Sequence, residues 1–325
     1  MKILFCAMRY DYGDPKRGYS YEYYNYLTTF QKLGHQVIPF DYLAIYKKLG
    51  KEKVNDQLWK TVKNLKPHFF FCSLFQEELK KEVIWQISKT KTTTFTWFYD
   101  DSWRFDNFCK LWAPVFNWIG TTEEDNVKKY RQVGYQNAIY LPFGINPKVY
   151  KPYKVQKKYD VTFVGGPHGF RNQYFEKLKA EKIKTTFFGN IWSDRLSFKN
   201  MVKLFSQSKI NLNFTETSFQ GNQVLFYLRK FNLIPRIRQH KARIFEIPGS
   251  GGFELSGWTK GIEKLYEPGQ EIEIFRTADE LTEKCRYFLK NSKKREEIAK
   301  AGYLRTLKDH TYEIRFLKLF KQIDL

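Results

Sequence analysis

The chain of 325 residues has few cysteines and no long apolar run. Its four cysteines, Cys6, Cys72, Cys109 and Cys285, are widely separated and form no CxxC pair. This spacing argues against a structural zinc site or a disulfide framework and indicates a reducing, cytoplasmic setting. Because no run of about 18 uncharged apolar residues is present, we expect no transmembrane helix. The short apolar start, residues 1–7, is typical of a first strand and not of a signal peptide.

Acidic residues are also scarce relative to basic ones. The chain has 34 Asp and Glu against 56 Lys and Arg, a formal net charge of +22, and the excess is spread over both halves. Such a charge favours anionic partners, namely nucleotide phosphates, an anionic membrane surface or nucleic acid. The alternative is a lysine-rich surface that is only solvated. Hydrophobic content of 42% allows folded cores, and the length suggests two domains.

The dinucleotide fingerprint GxGxxG is missing, although the N-terminal region has the pattern of a βαβ unit. A strand is followed by a loop over residues 9–18, a helix and a second strand. Ligands of parallel sheets bind at the carboxyl ends of the strands, so we expect this loop to face a crevice. The loop residues of interest are Tyr10, Gly13 and Gly18.

An adjacent acid pair, Asp100 and Asp101, follows a later strand of high β propensity. At that position the two carboxylates could hold a metal, take a proton or cap the next helix. Prolines and lysines then break the regular pattern up to about residue 155, after which a strand, a glycine loop and a helix begin again. The sequence therefore predicts an α/β fold with two βαβ-type domains facing each other across a linker.

The most informative stretch is residues 239–256. His240, Lys241 and Arg243 precede Glu246, and a glycine turn and a short strand follow. The pattern predicts a helix with a basic start, where unpaired N–H groups and basic side chains attract a phosphate. The carboxylate of Glu246 would then accept hydrogen bonds from sugar hydroxyls. The alternative is a helix that only packs on a strand, with a solvated glutamate.

This stretch also carries a resemblance to a known family. The run KARIFEIPGSGGF at residues 241–253 resembles the R-x-F-E-I…G-G-F signature of the CgeB-like glycosyltransferases, which belong to the group-1 (GT-B) nucleotide-sugar transferases. The resemblance extends over most of residues 159–320. Three further motifs agree with it: FVGG with Arg171, SKINLN at residues 208–213, and YEPG at residues 266–269 with the closing HTYxxR.

The resemblance implies an α/β GT-B fold, in which two Rossmann-like βαβ domains face each other across a central cleft, and it divides the chain into three parts. Residues 1–155 would be the acceptor-binding domain, residues 156–307 the nucleotide-sugar-binding domain, and residues 308–325 a helix that crosses back onto the first domain. The implied reaction moves a sugar, with retention, from a nucleoside diphosphate sugar to a hydroxyl of a cell-envelope, polysaccharide or lipid-linked glycan. No tightly bound cofactor and no metal is expected. The protein would be cytoplasmic or peripheral at the inner face of the membrane.

Two other functions remain open. The basic surface could dock the chain on nucleic acid, as a DNA-base glycosyltransferase, although no nucleic-acid motif stands out. The chain could also be an inactive nucleotide-sugar-binding module. Many relatives in the wider group carry a second glutamate eight residues before the first, and Arg238 occupies that position here.

The resemblance also implies roles for single residues. Arg171 is the first candidate for stabilising the diphosphate, and Asp100 or Asp101 would face the acceptor as a base or a positioning group. Glu246 would orient the ribose. The other donor-side candidates are Gly165, Gly166, Gly189, Asn213, His240, Lys241 and Arg243.

Overall fold

A computed structural model describes residues 1–189, 195–217, 223–231 and 233–325. The chain forms two compact units, Met1–Pro142 together with Tyr312–Leu325, and Phe143–Thr311. The first boundary thus lies thirteen residues earlier than residue 155, where the sequence analysis placed it. The reason is that Tyr150 donates a hydrogen bond to Glu246 of the second unit, at 2.5 Å. The other boundary lies at Tyr312 instead of residue 308.

The first unit contains a six-stranded parallel sheet of order β2-β1-β3-β4-β5-β6. Continuous apolar runs such as FFFC in β3 form these strands because helices cover both faces of a parallel sheet. The strands are β1 Lys2–Cys6, β2 Gln36–Phe40, β3 Phe69–Cys72, β4 Thr93–Phe98, β5 Trp118–Thr121 and β6 Ala138–Tyr140. The helices are α1 Thr28–Lys32, α2 Tyr42–Leu65, α3 Lys81–Ser88, α4 Asp101–Arg104, α5 Lys110–Trp112, α6 Glu124–Gln132 and α13 Tyr312–Gln322.

Two π-helical segments interrupt the helices of this unit. One, Tyr23–Leu27, leads into α1, and the other, Phe105–Cys109, joins α4 to α5. The final helix α13 packs on one face of the sheet, where Phe316 stacks on Phe30 at 4.2 Å between ring centroids. The amphipathic pattern of this helix therefore covers apolar residues of the first unit.

The described residues of the second unit form a five-stranded parallel sheet of order β11-β10-β9-β7-β8. The strands are β7 Tyr159–Val164, β8 Thr185–Phe188, β9 Ser208–Asn213, β10 Glu254–Gly257 and β11 Glu273–Phe275. The helices are α7 Arg171–Ala180, α8 Phe198–Gln207, α9 Gln223–Lys230, α10 Arg243–Gly249, α11 Ala278–Lys290 and α12 Ser292–Asp309. The two parallel sheets with flanking helices confirm the predicted α/β, Rossmann-like class.

The start of α10 differs from the prediction. The pattern predicts a basic helix start that includes His240 and Lys241, whereas the helix begins at Arg243. The preceding segment is held extended, because the Gln239 N–H donates to the carbonyl of Thr215 at 2.9 Å. His240 and Lys241 therefore lie on the approach to the helix.

The ranges that the structure describes contain neither a membrane-spanning helix nor a metal-binding group of side chains. None of their helices has both the length and the apolar character needed to cross a lipid bilayer. No group of three or more His, Cys, Asp or Glu side chains in those ranges is arranged to hold a metal ion. All four cysteines are buried free thiols.

Candidate functional site

The second unit places Arg171 where ligands of parallel sheets usually bind. Its strand order reverses direction between β7 and β9, and a crevice opens at the carboxyl ends of strands at such a point. Arg171 begins α7 directly after the loop that follows β7. Its Nη1 donates to the carbonyl of Gly166 at 2.8 Å, and its Nη2 donates to that of Phe214, just after β9, at 3.4 Å. The guanidinium therefore links the two loops at this edge.

Other cations surround this guanidinium. Burial lowers the pKa of Arg171 to about 10, Glu216 raises it and the charge of Arg243 lowers it further. Partial burial and then the charges of Arg171 and Lys241 lower the pKa of His168. Positive charge is thus concentrated at the carboxyl edge of the sheet, which is the electrostatic environment that an anion requires.

The nearby carboxylate of Glu216 does not neutralise this cluster by direct contact. It accepts a hydrogen bond from Arg236 at 3.0 Å and one from the Tyr174 hydroxyl at 2.9 Å. Arg238, which occupies the position of the missing second glutamate, lies 3.9 Å from Glu216 and over the ring of Trp258. Arg238 is therefore part of a structural ion-pair network in the second unit.

Glycines bring the backbone loops of this edge close together. Gly189 has a φ of +149°, and a Cβ atom there would lie 2.3 Å from the carbonyl oxygen of Gly165. A Cβ atom on Gly166 would lie 2.5 Å from Nε2 of His168. A side chain at position 189 would displace the loops after β7 and β8, whereas one at position 166 would require the His168 ring to move. The sequence-predicted Gly165, Gly166 and Gly189 thus lie at one edge with Arg171.

Helix α10 holds Glu246, which is 1% exposed. The Tyr150 hydroxyl donates to Oε1 at 2.5 Å, and Arg243 forms an ion pair with Oε2. Arg243 reaches the carboxylate from one helical turn earlier, as the i,i+3 spacing allows. His240 is buried before this helix, whereas Lys241 is half-buried.

Asn213 and Glu254 lie on neighbouring strands below this helix. The Asn213 amide donates to the Ser256 hydroxyl at 2.9 Å, so this candidate is bonded within the sheet. Glu254 is 1% exposed, and neither of its carboxyl oxygens has a hydrogen-bond partner among the described residues. Burial raises its pKa well above the usual range, against the effects of Asn213, Ser256 and the charge of Arg243. Sequence reasoning missed this buried acid, because nothing local distinguishes it from a solvated one.

The first unit has a cavity of about 230 Å³ at the carboxyl ends of β1, β3 and β4. Its sheet order also reverses direction here, between β1 and β3. Aromatic rings, among them Tyr12, Tyr21, Phe75 and Trp97, line much of the cavity. The polar lining residues are Asp11, Glu22, Ser73, Asp100 and Arg104.

Glu22 is the most buried carboxyl group of this lining. It is 8% exposed and accepts a hydrogen bond from the Ser73 hydroxyl at 2.9 Å. Burial raises its pKa, although the Ser73 bond acts in the opposite direction. Sequence reasoning missed Glu22. The position of Ser73 could have indicated this cavity from the sequence, since Ser73 directly follows the apolar strand β3 at its carboxyl end, where ligands of parallel sheets bind.

The structure separates the two acids of the predicted pair. Asp100 lines the cavity and accepts a hydrogen bond from the Trp103 indole at 3.2 Å. Asp101 is fully buried away from the cavity lining, and its Oδ2 accepts from the Tyr130 hydroxyl at 3.1 Å. Burial raises the pKa of Asp101 to about 7. Asp100, which occupies the N-cap position of α4, makes no side-chain capping hydrogen bond there.

The loop after β1 lines the cavity with residues other than the predicted Tyr10, Gly13 and Gly18. Asp11 and Tyr12 line it, whereas Tyr10 stacks on Tyr19 at 5.5 Å between ring centroids. Gly13 and Gly18 have φ values of 69° and 81°, so they serve the turns of this loop. The predicted loop thus faces the crevice, but its glycines shape the turn instead of lining the cavity.

A family model described as glycosyl transferase-like matches residues 171–321. Spore protein CgeB of Bacillus subtilis (strain 168) is 19% identical over 240 residues, which cover 67% of this chain and 71% of that protein.

Solved structures share the fold over the full chain. A sucrose-phosphate synthase from Thermosynechococcus elongatus has a TM-score of 0.66 at 10% identity, with 100% of this chain and 98% of that one covered. Anabaena HepE, solved in complex with UDP-glucose, has a TM-score of 0.64 at 11% identity, with 100% and 99% covered. At such low identity these likenesses establish the GT-B fold that the sequence motifs implied.

Proposed function

We propose that the chain is a CgeB-like glycosyltransferase of the group-1, GT-B superfamily, and that it transfers a sugar from a nucleoside diphosphate sugar to an acceptor hydroxyl. The observation that carries the proposal is Arg171 at the carboxyl edge of the second sheet. Its guanidinium links the loops after β7 and β9 and lies among the charges of Lys241 and Arg243. The predicted diphosphate role of these residues remains part of this proposal.

The chemistry requires stabilisation of the leaving group. When the glycosidic bond to the diphosphate breaks, negative charge develops on the phosphate oxygens, and fixed cations lower the energy of that state. Arg171 supplies one such charge in a position that two backbone carbonyls already hold, so little reorganisation is needed. Lys241 and the loop N–H groups of Gly165 and Gly166 add to it. We propose that these groups act without a metal ion.

The nucleoside would bind beside this cluster. Glu246, whose carboxylate Tyr150 and Arg243 hold in a fixed position, is the group that we propose for orienting the ribose. HepE was solved with UDP-glucose, so a uridine diphosphate hexose is the first donor that we propose. Transfer with retention, as the resemblance implies, belongs to the same proposal.

The acceptor would occupy the cavity of the first unit. Aromatic walls pack against the apolar face of a sugar ring, while carboxyl groups accept hydrogen bonds from its hydroxyls. Glu22 is the first candidate to take the proton of the reacting hydroxyl, because its raised pKa makes it a stronger base than an exposed carboxylate. Asp100 is the second. A cell-envelope, polysaccharide or lipid-linked glycan fits this chemistry, in a cytoplasmic or membrane-peripheral enzyme.

A thermal-shift panel of nucleoside diphosphate sugars tests the donor assignment. The correct donor at about a hundredfold excess over Kd should raise the free energy of unfolding by about 2.7 kcal/mol. Release of the nucleoside diphosphate in the presence of mixed glycan acceptors then measures turnover. Binding without turnover would indicate the inactive binding module, and the absence of any shift across the panel would contradict the proposed function.

A further inference from the structure

Helix α9, Gln223–Lys230, and two residues that follow it carry an apolar patch on the surface of the second unit. Val224, Tyr227, Phe231 and Leu233, which we call the α9 patch, are 64%, 51%, 64% and 69% exposed. The first three have the i, i+3, i+7 spacing of one helical face. The rings of Tyr227 and Phe231 stack at 6.4 Å between centroids, so the exposed surface is continuous at these two residues.

The opposite side of α9 is anchored to the rest of the unit. The ring of Phe226 stacks on that of Phe170 at 5.3 Å between centroids. The Arg236 guanidinium donates to the carbonyls of Arg229 and Lys230, at 3.3 and 3.5 Å. The outward direction of the patch is therefore fixed by contacts on its inner side. Grouped exposed apolar side chains of this kind mark an interaction surface, whereas single exposed ones are ordinary.

The charge around the patch selects among partners. Helix α9 ends in two basic residues, Arg229 and Lys230, and contains no Asp or Glu, within a chain of net charge +22. The Lys230 ammonium lies 5.7 Å from the Tyr227 ring and 5.8 Å from the Phe231 ring, so a cation borders the apolar surface directly. A second copy of the chain would place the same cations against each other. Nucleic acid would satisfy the cations but leave the apolar side chains in water.

An anionic lipid surface satisfies both properties. Large apolar side chains enter the boundary between headgroups and acyl chains, and neighbouring cations attract the phosphates of the leaflet. We propose that the α9 patch docks the second unit on an anionic membrane surface. This inference does not depend on glycosyl transfer, since it concerns a surface whose residues have no role in the proposed reaction.

Vesicle flotation tests the proposal on the full chain. Wild-type protein should float with vesicles of roughly one third phosphatidylglycerol in phosphatidylcholine, should not float with phosphatidylcholine alone, and should be partly released at raised salt. The double variant Phe231→Ser, Leu233→Ser should bind roughly tenfold more weakly. The matched control Leu304→Ser, Leu317→Ser changes two equally exposed leucines elsewhere, 56% and 57% exposed, and should bind as wild type.

Each other outcome overturns the assignment. Absence of flotation excludes membrane docking, and equal loss in the control pair excludes the α9 patch as its cause. Flotation that depends on salt but not on Phe231 and Leu233 would indicate charge alone. Self-association that the patch variant abolishes, measured by sedimentation, would identify a second copy as the partner. Thermal unfolding and UDP binding, which the patch variants should retain, show whether each variant is folded and whether the proposed donor site is sound.

Discussion

Replacement of Asp101 by Asn should change how the stability of the first unit depends on pH. Burial raises the pKa of this carboxyl from 3.8 to about 7, while Thr121, Asn126 and the Tyr130 hydroxyl oppose the rise and Glu123 adds to it. The unfolded chain retains the ordinary value, so the folded state binds the proton more tightly. The contribution of Asp101 to stability is thus fully present below about pH 3.8, is lost as pH rises to about 7, and then stays constant.

The size of the effect follows from the pKa values. A rise from 3.8 to about 7 corresponds to about 4 kcal/mol, which is the most that ionisation of this side chain can remove. Asp101→Asn cannot ionise and retains an acceptor for the Tyr130 hydroxyl. The free energy of unfolding of the variant, minus that of wild type, should therefore grow by several kcal/mol between about pH 4 and about pH 8.

Urea unfolding followed by tryptophan fluorescence measures this difference, because six of the eight tryptophans belong to residues 1–142. Asp106→Asn is the matched control, since the Asp106 side chain is 85% exposed and forms only an i,i+4 pair with Lys110. Its effect should stay below about 1 kcal/mol. A stability difference for Asp101→Asn that does not vary with pH would refute the reasoning.

Three further predictions follow from buried or crowded groups. Glu254→Gln should raise thermal stability relative to wild type increasingly as pH rises above the ordinary carboxyl range, because the folded-state pKa of Glu254 is raised and ionisation removes stability. Gly189→Ala should cost about 1–3 kcal/mol in thermal unfolding, since its Cβ would meet the Gly165 carbonyl, whereas Gly134→Ala, with open space, should cost less. Glu22→Gln should lower the transfer rate roughly a hundredfold with unchanged UDP affinity, and an equal loss of UDP affinity would remove Glu22 from the acceptor side.

The sequence was sufficient for the sheet architecture. Parallel strands are continuous apolar runs between turns, so runs such as residues 69–72 are recognisable without tertiary information. Helices α2 and α9 were harder to recognise. The first half of α2 is rich in exposed lysines and contains Gly50 at a positive φ, and α9 exposes apolar residues that a helix normally buries.

Two candidate site residues were selected from local motifs, and their role in donor binding stays a prediction. Arg171 follows a glycine loop at a strand end, and Glu246 lies in a specific signature. Asp101 shows the limit of this reasoning, because its burial depends on Tyr130, which is 29 residues away in the sequence and on another helix. The partner of Glu22 is more distant still, since Ser73 lies 51 residues away in the sequence and approaches Glu22 only after β1 and β3 pair.

The central claim is that Arg171 and Glu246 bind the nucleoside diphosphate at the carboxyl edge of the second sheet. Calorimetric titration of UDP into wild type, Arg171→Ala and Glu246→Ala tests it most directly, with Lys179→Ala on the same helix as the control. Loss of the Arg171 contact should cost about 2 kcal/mol, or roughly thirtyfold in Kd, and Glu246→Ala should also weaken binding, while the control binds as wild type. Unchanged UDP affinity in both site variants would contradict the account.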